Sequence, residues 1–251
     1  MRIAAVQHDI VWEDARATCH HLEPMVAAAA AAGSRLIVLT EMFATGFSLD
    51  ADRIAEPVDG PTSQWMSGLA ARHDAWLYGS IPERPTVGAK SRNVGVLAGP
   101  GGEMHRYAKL HPFTYAKEHE SYDAGDGTVT VTIEGLRVSL FVCYDLRFAD
   151  EFWQLGPDTD LFLVPANWPE ARRLHWQALL QARAIENQCY VLGVNRVGQG
   201  GKLAYAGDSR IIDPLGDVLA GASKVETVLL ADVDPAVVQE VRGKYPFLAD
   251  R

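Results

Sequence analysis

The sequence predicts an α/β protein in which two β-sheets pack together and helices cover the outer faces. Three observations favour this fold class. The 251 residues are 48% hydrophobic, enough for a large core. Short apolar runs rich in β-branched residues alternate along the chain with longer segments of helical spacing. No linker, repeat or low-complexity segment interrupts this alternation, so we expect residues 1–251 to form a single domain.

Each predicted element has a local signal. The apolar runs predict strands at 3–7, 36–39, 75–80, 93–98, 129–133, 138–142, 160–164, 190–195, 209–213 and 227–232, and the segment at 103–108 is strand-like. Helical spacing predicts helices at 13–32, 61–73, 170–187 and 235–241. Gly33 suits the end of the first helix, Pro61 the first turn of the second, and Asp234 the N-cap of the last. We expect the strands at 129–133 and 138–142 to form a hairpin, and the polar segment before Gly127 to be an irregular loop.

Composition limits the possible partners and location. The formal net charge of −9 argues against nucleic acid or an anionic membrane as the partner. No apolar run approaches the roughly 20 residues of a membrane-spanning helix, and no signal-peptide pattern precedes the first strand. The three cysteines, an odd number, do not indicate a disulfide framework. We therefore expect a cytoplasmic protein.

Cys143 is the first candidate for chemistry. It follows an apolar run at 138–142 and precedes a polar turn. A thiol at a rigid strand end, with free backbone N–H groups in the next turn, is suited to nucleophilic catalysis. A lone cysteine is more often a small buried core residue. Three other charged residues, each at a strand end or in a loop, favour the nucleophile.

These residues are Glu41, Lys109 and Glu118. Glu41 follows the strand at 36–39, so its carboxylate lies at a sheet edge and can exchange protons with a thiol and an amine leaving group. Lys109 follows the segment at 103–108, where an ammonium can favour a thiolate and stabilise an oxyanion. Glu118 lies in the polar loop and by itself indicates little. Taken singly, each of the three is more often a surface or loop residue.

Together these segments resemble the nitrilase superfamily of carbon–nitrogen hydrolases. The resemblance spans essentially the whole chain and rests on motifs in the superfamily's order: Thr40-Glu-Met-Phe43, Tyr107-Ala-Lys-Leu-His-Pro-Phe113, Lys117-Glu-His119 and Cys143-Tyr-Asp-Leu-Arg-Phe148. It implies a four-layer αββα sandwich that usually assembles into homodimers or larger homo-oligomers. One departure is Thr40, where many members have proline. That difference changes the turn and leaves the chemistry intact.

The resemblance also implies roles for the candidate residues. Cys143 would be the nucleophile and Glu41 the general base. Lys109 and the backbone N–H of Tyr144 would stabilise the oxyanion. Glu118 would orient the lysine and the substrate. This chemistry needs no cofactor.

Finer features resemble the bacterial ω-amidases, which hydrolyse the terminal amide of 2-oxoglutaramate. They lie in the segments 165–169, 174–177 and 182–187. This resemblance implies a small-molecule amide substrate, with Asn167 and Trp168 as binding candidates. Arg147 lies four residues beyond the nucleophile, where its guanidinium could bind a substrate carboxylate, although a scaffold or interface role is equally consistent. Arg183 and Glu186 are expected to form a structural ion pair.

Other functional classes remain as alternatives. A papain-like cysteine–histidine hydrolase would need a histidine partner, and His111, His119 and His175 lack the flanking pattern of one. The eight histidines show no metal-site spacing, so we expect no metal. A catalytically silent binding protein is disfavoured because all four expected polar positions are filled. Within the superfamily, a nitrilase, a carbamoyl-amine hydrolase and a deaminated-glutathione amidase remain open.

Overall fold

The computed structural model describes all 251 residues, which form two β-sheets with helices on their outer faces. The strands are β1 (Arg2–Gln7), β2 (Leu36–Val38), β3 (Glu56–Pro57), β4 (Trp76–Arg84), β5 (Ser91–Ala98), β6 (Met104–Ala108), β7 (Tyr122–Asp123), β8 (Thr130–Ile133), β9 (Leu136–Leu140), β10 (Leu161–Ala166), β11 (Tyr190–Asn195), β12 (Val197–Gly200), β13 (Leu203–Ile212), β14 (Val218–Ser223) and β15 (Thr227–Asp232). The helices are α1 (Ala15–Ala31), α2 (Ala51–Ile54), α3 (Pro61–His73), α4 (Glu118–Ser121), α5 (Ala149–Leu155), α6 (Arg173–Asn187) and α7 (Pro235–Lys244). None of them has the length and apolar character that a bilayer span requires.

Both sheets combine parallel and antiparallel strands. The first has the order β15-β1-β2-β4-β5-β6, with β3 beside β4 and β7 beside β5. The second has the order β12-β13-β11-β10-β9-β8, with β14 beside β13. Strands β1, β2 and β4 run parallel, as do β9, β10 and β11. Because the carboxyl ends of neighbouring parallel strands share one edge of a sheet, residues that follow these strands are brought close together.

Side chains of β1 reveal the layers. Ile3 belongs to the same buried cluster as Leu163 of the second sheet. Val6, on the opposite face of the strand, packs in a cluster with Leu22 of α1. Trp176 of α6 covers the other side of the second sheet. The order is therefore helix, sheet, sheet, helix, and the predicted αββα sandwich is confirmed.

Some element boundaries differ from the predictions. The helix predicted at 170–187 begins with a separate 3₁₀ turn at Glu170–Arg172, so the α-helix starts at Arg173. The segment predicted as an irregular loop contains α4 and β7. Strand β13 starts at Leu203, six residues before its predicted start. Sequence patterns did not indicate β12 or β14, because the first carries two glycines and the second is largely exposed.

Several local predictions are confirmed. Strands β8 and β9 form the hairpin, and both residues of its turn, Glu134 and Gly135, have the positive φ angles that such a turn requires. The Asp234 side chain accepts a hydrogen bond from a backbone N–H of α7. Arg183 and Glu186 form an ion pair at 2.8 Å.

Candidate active site

Cys143 lies at a sharp turn directly after the extended residue Val142. Its φ of 47° is in the left-handed region, which residues other than glycine rarely adopt. The buried carboxylate of Asp145 secures this turn. It accepts hydrogen bonds from the backbone N–H of Val142 (3.0 Å), the backbone N–H of His111 (2.9 Å) and the hydroxyl of Tyr107 (2.8 Å). The thiol is thus held in a strained position by contacts from another segment.

Three charged side chains from separate segments meet beside this thiol. Lys109 follows β6, and its Nζ lies 2.8 Å from a carboxylate oxygen of Glu41 and 2.8 Å from one of Glu118. None of the three side chains is more than 1% exposed. Buried charges at this depth require such pairing. Two carboxylates and one ammonium leave one excess negative charge next to Cys143.

Two asparagines complete the hydrogen bonding of this cluster. Nδ2 of Asn93, on β5, donates to Glu41 (2.9 Å) and Glu118 (3.1 Å). The backbone N–H of Asn167 donates to the other carboxylate oxygen of Glu41 at 2.9 Å, and its side chain donates to the Glu41 carbonyl. Asn93 was not among the predicted site residues. Its only sequence signal is a polar side chain as the first residue of the predicted strand at 93–98.

The thiol side of the cluster opens onto a small pocket of about 250 Å³. Aromatic rings of Phe113, Tyr144 and Trp168 form much of the wall. Two guanidinium groups, those of Arg147 and Arg172, also line it. The pocket therefore suits a short ligand with an anionic group.

All eight predicted site residues lie at this one place, in two tiers. The buried tier comprises Glu41, Lys109 and Glu118. The pocket tier comprises Cys143, Tyr144, Arg147, Asn167 and Trp168.

The backbone N–H of Tyr144 is in the first turn of the 3₁₀ segment, where N–H groups lack an acceptor within the helix. It is therefore free to donate to a ligand.

Burial and charge set the resting state of the thiol. Burial raises the pKa of Cys143 well above its ordinary value, the carboxylate of Glu41 raises it further, and Lys109 lowers it. Burial by itself would lower the pKa of Lys109, but the carboxylates of Glu118 and Glu41 raise it well above its ordinary value. Lys109 thus favours the thiolate, in the expected direction, but burial and Glu41 outweigh it. The balance of these effects favours a neutral thiol beside an ammonium group.

Thr40 has a buried partner of its own. Its Oγ1 lies 3.0 Å from Nε2 of His8, and Nδ1 of the same ring lies 2.7 Å from the backbone carbonyl of Asp9. Burial lowers the pKa of His8 from 6.5 to about 4. The threonine thus connects the turn before Glu41 to a neutral histidine directly after β1.

Acidification is expected to destabilise the protein through His8. The unfolded chain takes up a proton near pH 6.5, whereas the folded ring resists it until about pH 4, so this stability is present above pH 6.5 and lost as the pH falls. Between pH 7 and pH 5 the wild type should lose about 2 kcal/mol more unfolding free energy than His8→Gln. Urea unfolding at both pH values measures this difference. Equal losses in the two proteins would show that His8 titrates normally.

A thiol, an adjacent carboxylate, an ammonium and a free backbone N–H can together support attack on a carbonyl carbon. The comparison with known families agrees with this chemistry. A family model described as carbon-nitrogen hydrolase matches residues 2–243. The chain belongs to the carbon–nitrogen hydrolase family. The resemblance to the nitrilase superfamily is thereby confirmed.

Individual relatives within this family are similar over most of the chain. The omega-amidase YafV of Escherichia coli (strain K12) is 40% identical, over 100% of this chain and 96% of that protein. The 2-oxoglutaramate amidase of Paenarthrobacter nicotinovorans is 35% identical, over 86% of this chain and 78% of that protein. The crystal structure of a CN-hydrolase superfamily protein from Xanthomonas campestris, with an arsenic adduct in its active site, has a TM-score of 0.95 and 38% identity. It covers 100% of this chain and 97% of that one.

The alternative functional classes find little support in the site of this carbon–nitrogen hydrolase. No histidine lines the pocket, so a cysteine–histidine hydrolase has no partner there. His111 instead stacks on Phe148 at 3.6 Å and contacts Glu151 at 2.7 Å. No group of three histidine, cysteine or acidic side chains is placed to hold a metal ion.

Proposed function

We propose that this carbon–nitrogen hydrolase converts short dicarboxylic monoamides, with 2-oxoglutaramate as the leading candidate, to the acid and ammonia. The observation that carries the proposal is the buried Glu41–Lys109–Glu118 cluster beside Cys143, on a small pocket that contains two arginines. Similarity over most of the chain to an omega-amidase and to a 2-oxoglutaramate amidase supports the same substrate class.

In the first step the sulfur of Cys143 attacks the amide carbon. Because the resting thiol is neutral, Glu41 must take its proton as the C–S bond forms. The carbonyl π electrons move to oxygen, and Lys109 and the backbone N–H of Tyr144 stabilise the resulting oxyanion. Glu118 holds Lys109 in place through contacts at 2.8 and 3.1 Å.

The tetrahedral intermediate then expels ammonia. The C–N bond breaks, Glu41 returns the proton to nitrogen, and a thioester on Cys143 remains. Oδ1 of Asn167 has no hydrogen-bond partner within the protein and belongs to a pocket residue, so we assign it to accept an amide N–H of the substrate. Trp168 forms a wall for the acyl chain. A water molecule activated by Glu41 hydrolyses the thioester and restores the thiol, without a cofactor.

Arg147 is proposed to attract the carboxylate at the far end of the substrate. Its guanidinium stacks on the Trp168 ring at 4.7 Å and lies 3.2 Å from Nδ1 of His175. Neither contact neutralises its charge. Binding energy from a carboxylate remote from the reacting bond can position the amide for attack. A neutral amide of equal length should therefore be a poor substrate.

A panel of amides tests this proposal. Ammonia release by the wild type should be most efficient with succinamate or 2-oxoglutaramate. Butyramide, which has the length of succinamate but no carboxylate, should have a kcat/KM about 30- to several-thousand-fold lower, because one charge-assisted contact is lost. If a nitrile, carbamoylputrescine, deaminated glutathione or a neutral amide reacts more efficiently than every acidic monoamide, the proposed substrate class is wrong and the family assignment remains.

We also propose that the protein is a single domain over residues 1–251 and acts in the cytoplasm as a homodimer or larger homo-oligomer, without nucleic-acid or membrane partners. One buried cluster includes side chains from both sheets, which supports one domain. Three free buried cysteines are compatible with a reducing compartment. The assembly is supported by the superfamily resemblance, and the absence of polyanionic partners by the net charge of −9.

A further inference from the structure

Arg172 lines the same pocket as Cys143, although its sequence context did not single it out. It is the last residue of the 3₁₀ turn that precedes α6. Its backbone carbonyl accepts a 2.9 Å hydrogen bond from Nε1 of Trp168, which anchors its main chain at the pocket wall. Its guanidinium carbon lies 5.4 Å from the centre of the Phe113 ring. The guanidinium therefore has the Phe113 ring as its aromatic neighbour, while the main chain is fixed by Trp168.

The Arg172 guanidinium forms no ion pair and no hydrogen bond within the chain, in contrast to its neighbour Arg173. That residue donates to both carboxylate oxygens of Asp208, at 2.9 and 2.7 Å. A guanidinium carries five N–H donors in a planar fork that matches a carboxylate. All five donors of Arg172 are free of protein acceptors. Arg147, by comparison, already directs one nitrogen to His175.

One indole ring holds both arginines. The face of Trp168 supports Arg147, and its Nε1 hydrogen bond fixes the main chain of Arg172. Two positive groups thus converge on a pocket of about 250 Å³, and no carboxylate is among its lining residues. Partly desolvated cations without a counter-charge are unfavourable, so an anionic ligand is favoured at this place.

We propose that Arg172 is the principal ligand of the substrate carboxylate and that Arg147 supplies a second positive charge beside it. The proposal rests on the proposed function and identifies the residue that determines its specificity. A 2-oxo acid has a carbonyl oxygen next to its carboxylate, so Arg172 and Arg147 can both interact with the same end of the substrate. The pocket therefore selects acyl chains that end in a carboxylate.

The test compares Arg172→Met and Arg172→Lys with the wild type on succinamate and butyramide. Arg172→Met should lower kcat/KM on succinamate about 30- to several-thousand-fold and leave butyramide nearly unchanged. The kcat/KM of Arg172→Lys on succinamate should lie between those of the wild type and Arg172→Met, because an ammonium keeps the charge but not the planar fork. Arg16→Met is the matched control: this arginine is exposed on α1, lies outside the pocket and should give wild-type values with both substrates.

Two results would overturn the assignment. Equal losses on both substrates would mean that Arg172 only supports the pocket wall, and an unchanged preference in Arg172→Met would mean that it does not contact the carboxylate. If Arg172→Met does not fold, Arg172→Lys decides the same question by the same comparison. A wild type without preference for succinamate over butyramide would instead refute the proposed function itself, so the two failures are distinguishable.

Discussion

Cys143→Ala is expected to abolish amide hydrolysis while the protein stays folded. The thiol is the proposed nucleophile, and its loss should lower the rate at least about 10⁴-fold, as the loss of a nucleophile does in other hydrolases. Folding should persist because the neutral thiol takes part in no ion pair. Alanine and cysteine have a similar cost in the left-handed conformation at this position, so the substitution adds no backbone strain. Ammonia release measures the activity, and thermal unfolding followed by circular dichroism measures the fold.

The matched control is Cys19→Ala. Cys19 is also a buried free cysteine, but it lies on α1 and outside the pocket. Its replacement should leave turnover close to that of the wild type. Near-normal activity in Cys143→Ala would contradict the thioester mechanism, independently of the result for Cys19→Ala.

Glu41→Gln and Lys109→Met should each lower the rate at least about 10²-fold, the usual scale for a lost general base or oxyanion donor. Glutamine keeps the size of Glu41 but cannot take the thiol proton. Methionine removes the ammonium and leaves two buried carboxylates without a cation, so Lys109→Met should also lose roughly 3–5 kcal/mol of stability. Single-turnover rates and denaturant unfolding measure the two effects separately.

Glu83→Gln provides the control for removal of a buried carboxylate. Glu83 is 2% exposed and pairs with Arg106 at 3.2 Å, but it does not line the pocket of Cys143. The variant should keep its rate. If Glu41→Gln or Lys109→Met retained more than roughly a tenth of the wild-type rate, the assigned role would be wrong. Accumulation of an acyl-enzyme in Glu41→Gln, detected by intact mass, would indicate that deacylation suffers most.

The sequence by itself determined the fold class and brought several of the charged residues to one edge of the sheets. Glu41, Lys109 and Cys143 each follow a predicted strand, and in an α/β fold such positions lie at a sheet edge. The alternation of short apolar runs with helical segments predicted the sandwich for the same reason, since each sheet must bury its faces against other layers. These inferences need only local pattern and general rules of chain topology, whereas the place of Glu118 in the site and the roles of all four residues were implied by the resemblance to the nitrilase superfamily.

Other properties were decided only by the tertiary structure. Asn93 donates to Glu41 across 52 residues of sequence, and nothing in its local pattern indicates that partner. The neutral thiol of Cys143 follows from burial and from the charge of Glu41, and both depend on the packed site. Arg172 and Arg173 are neighbours of the same residue type, and only the structure shows that Arg173 is paired with a carboxylate while Arg172 lines the pocket. Protonation states and unpaired charges are set by groups that are close in space and distant in sequence, and a local sequence pattern cannot specify them.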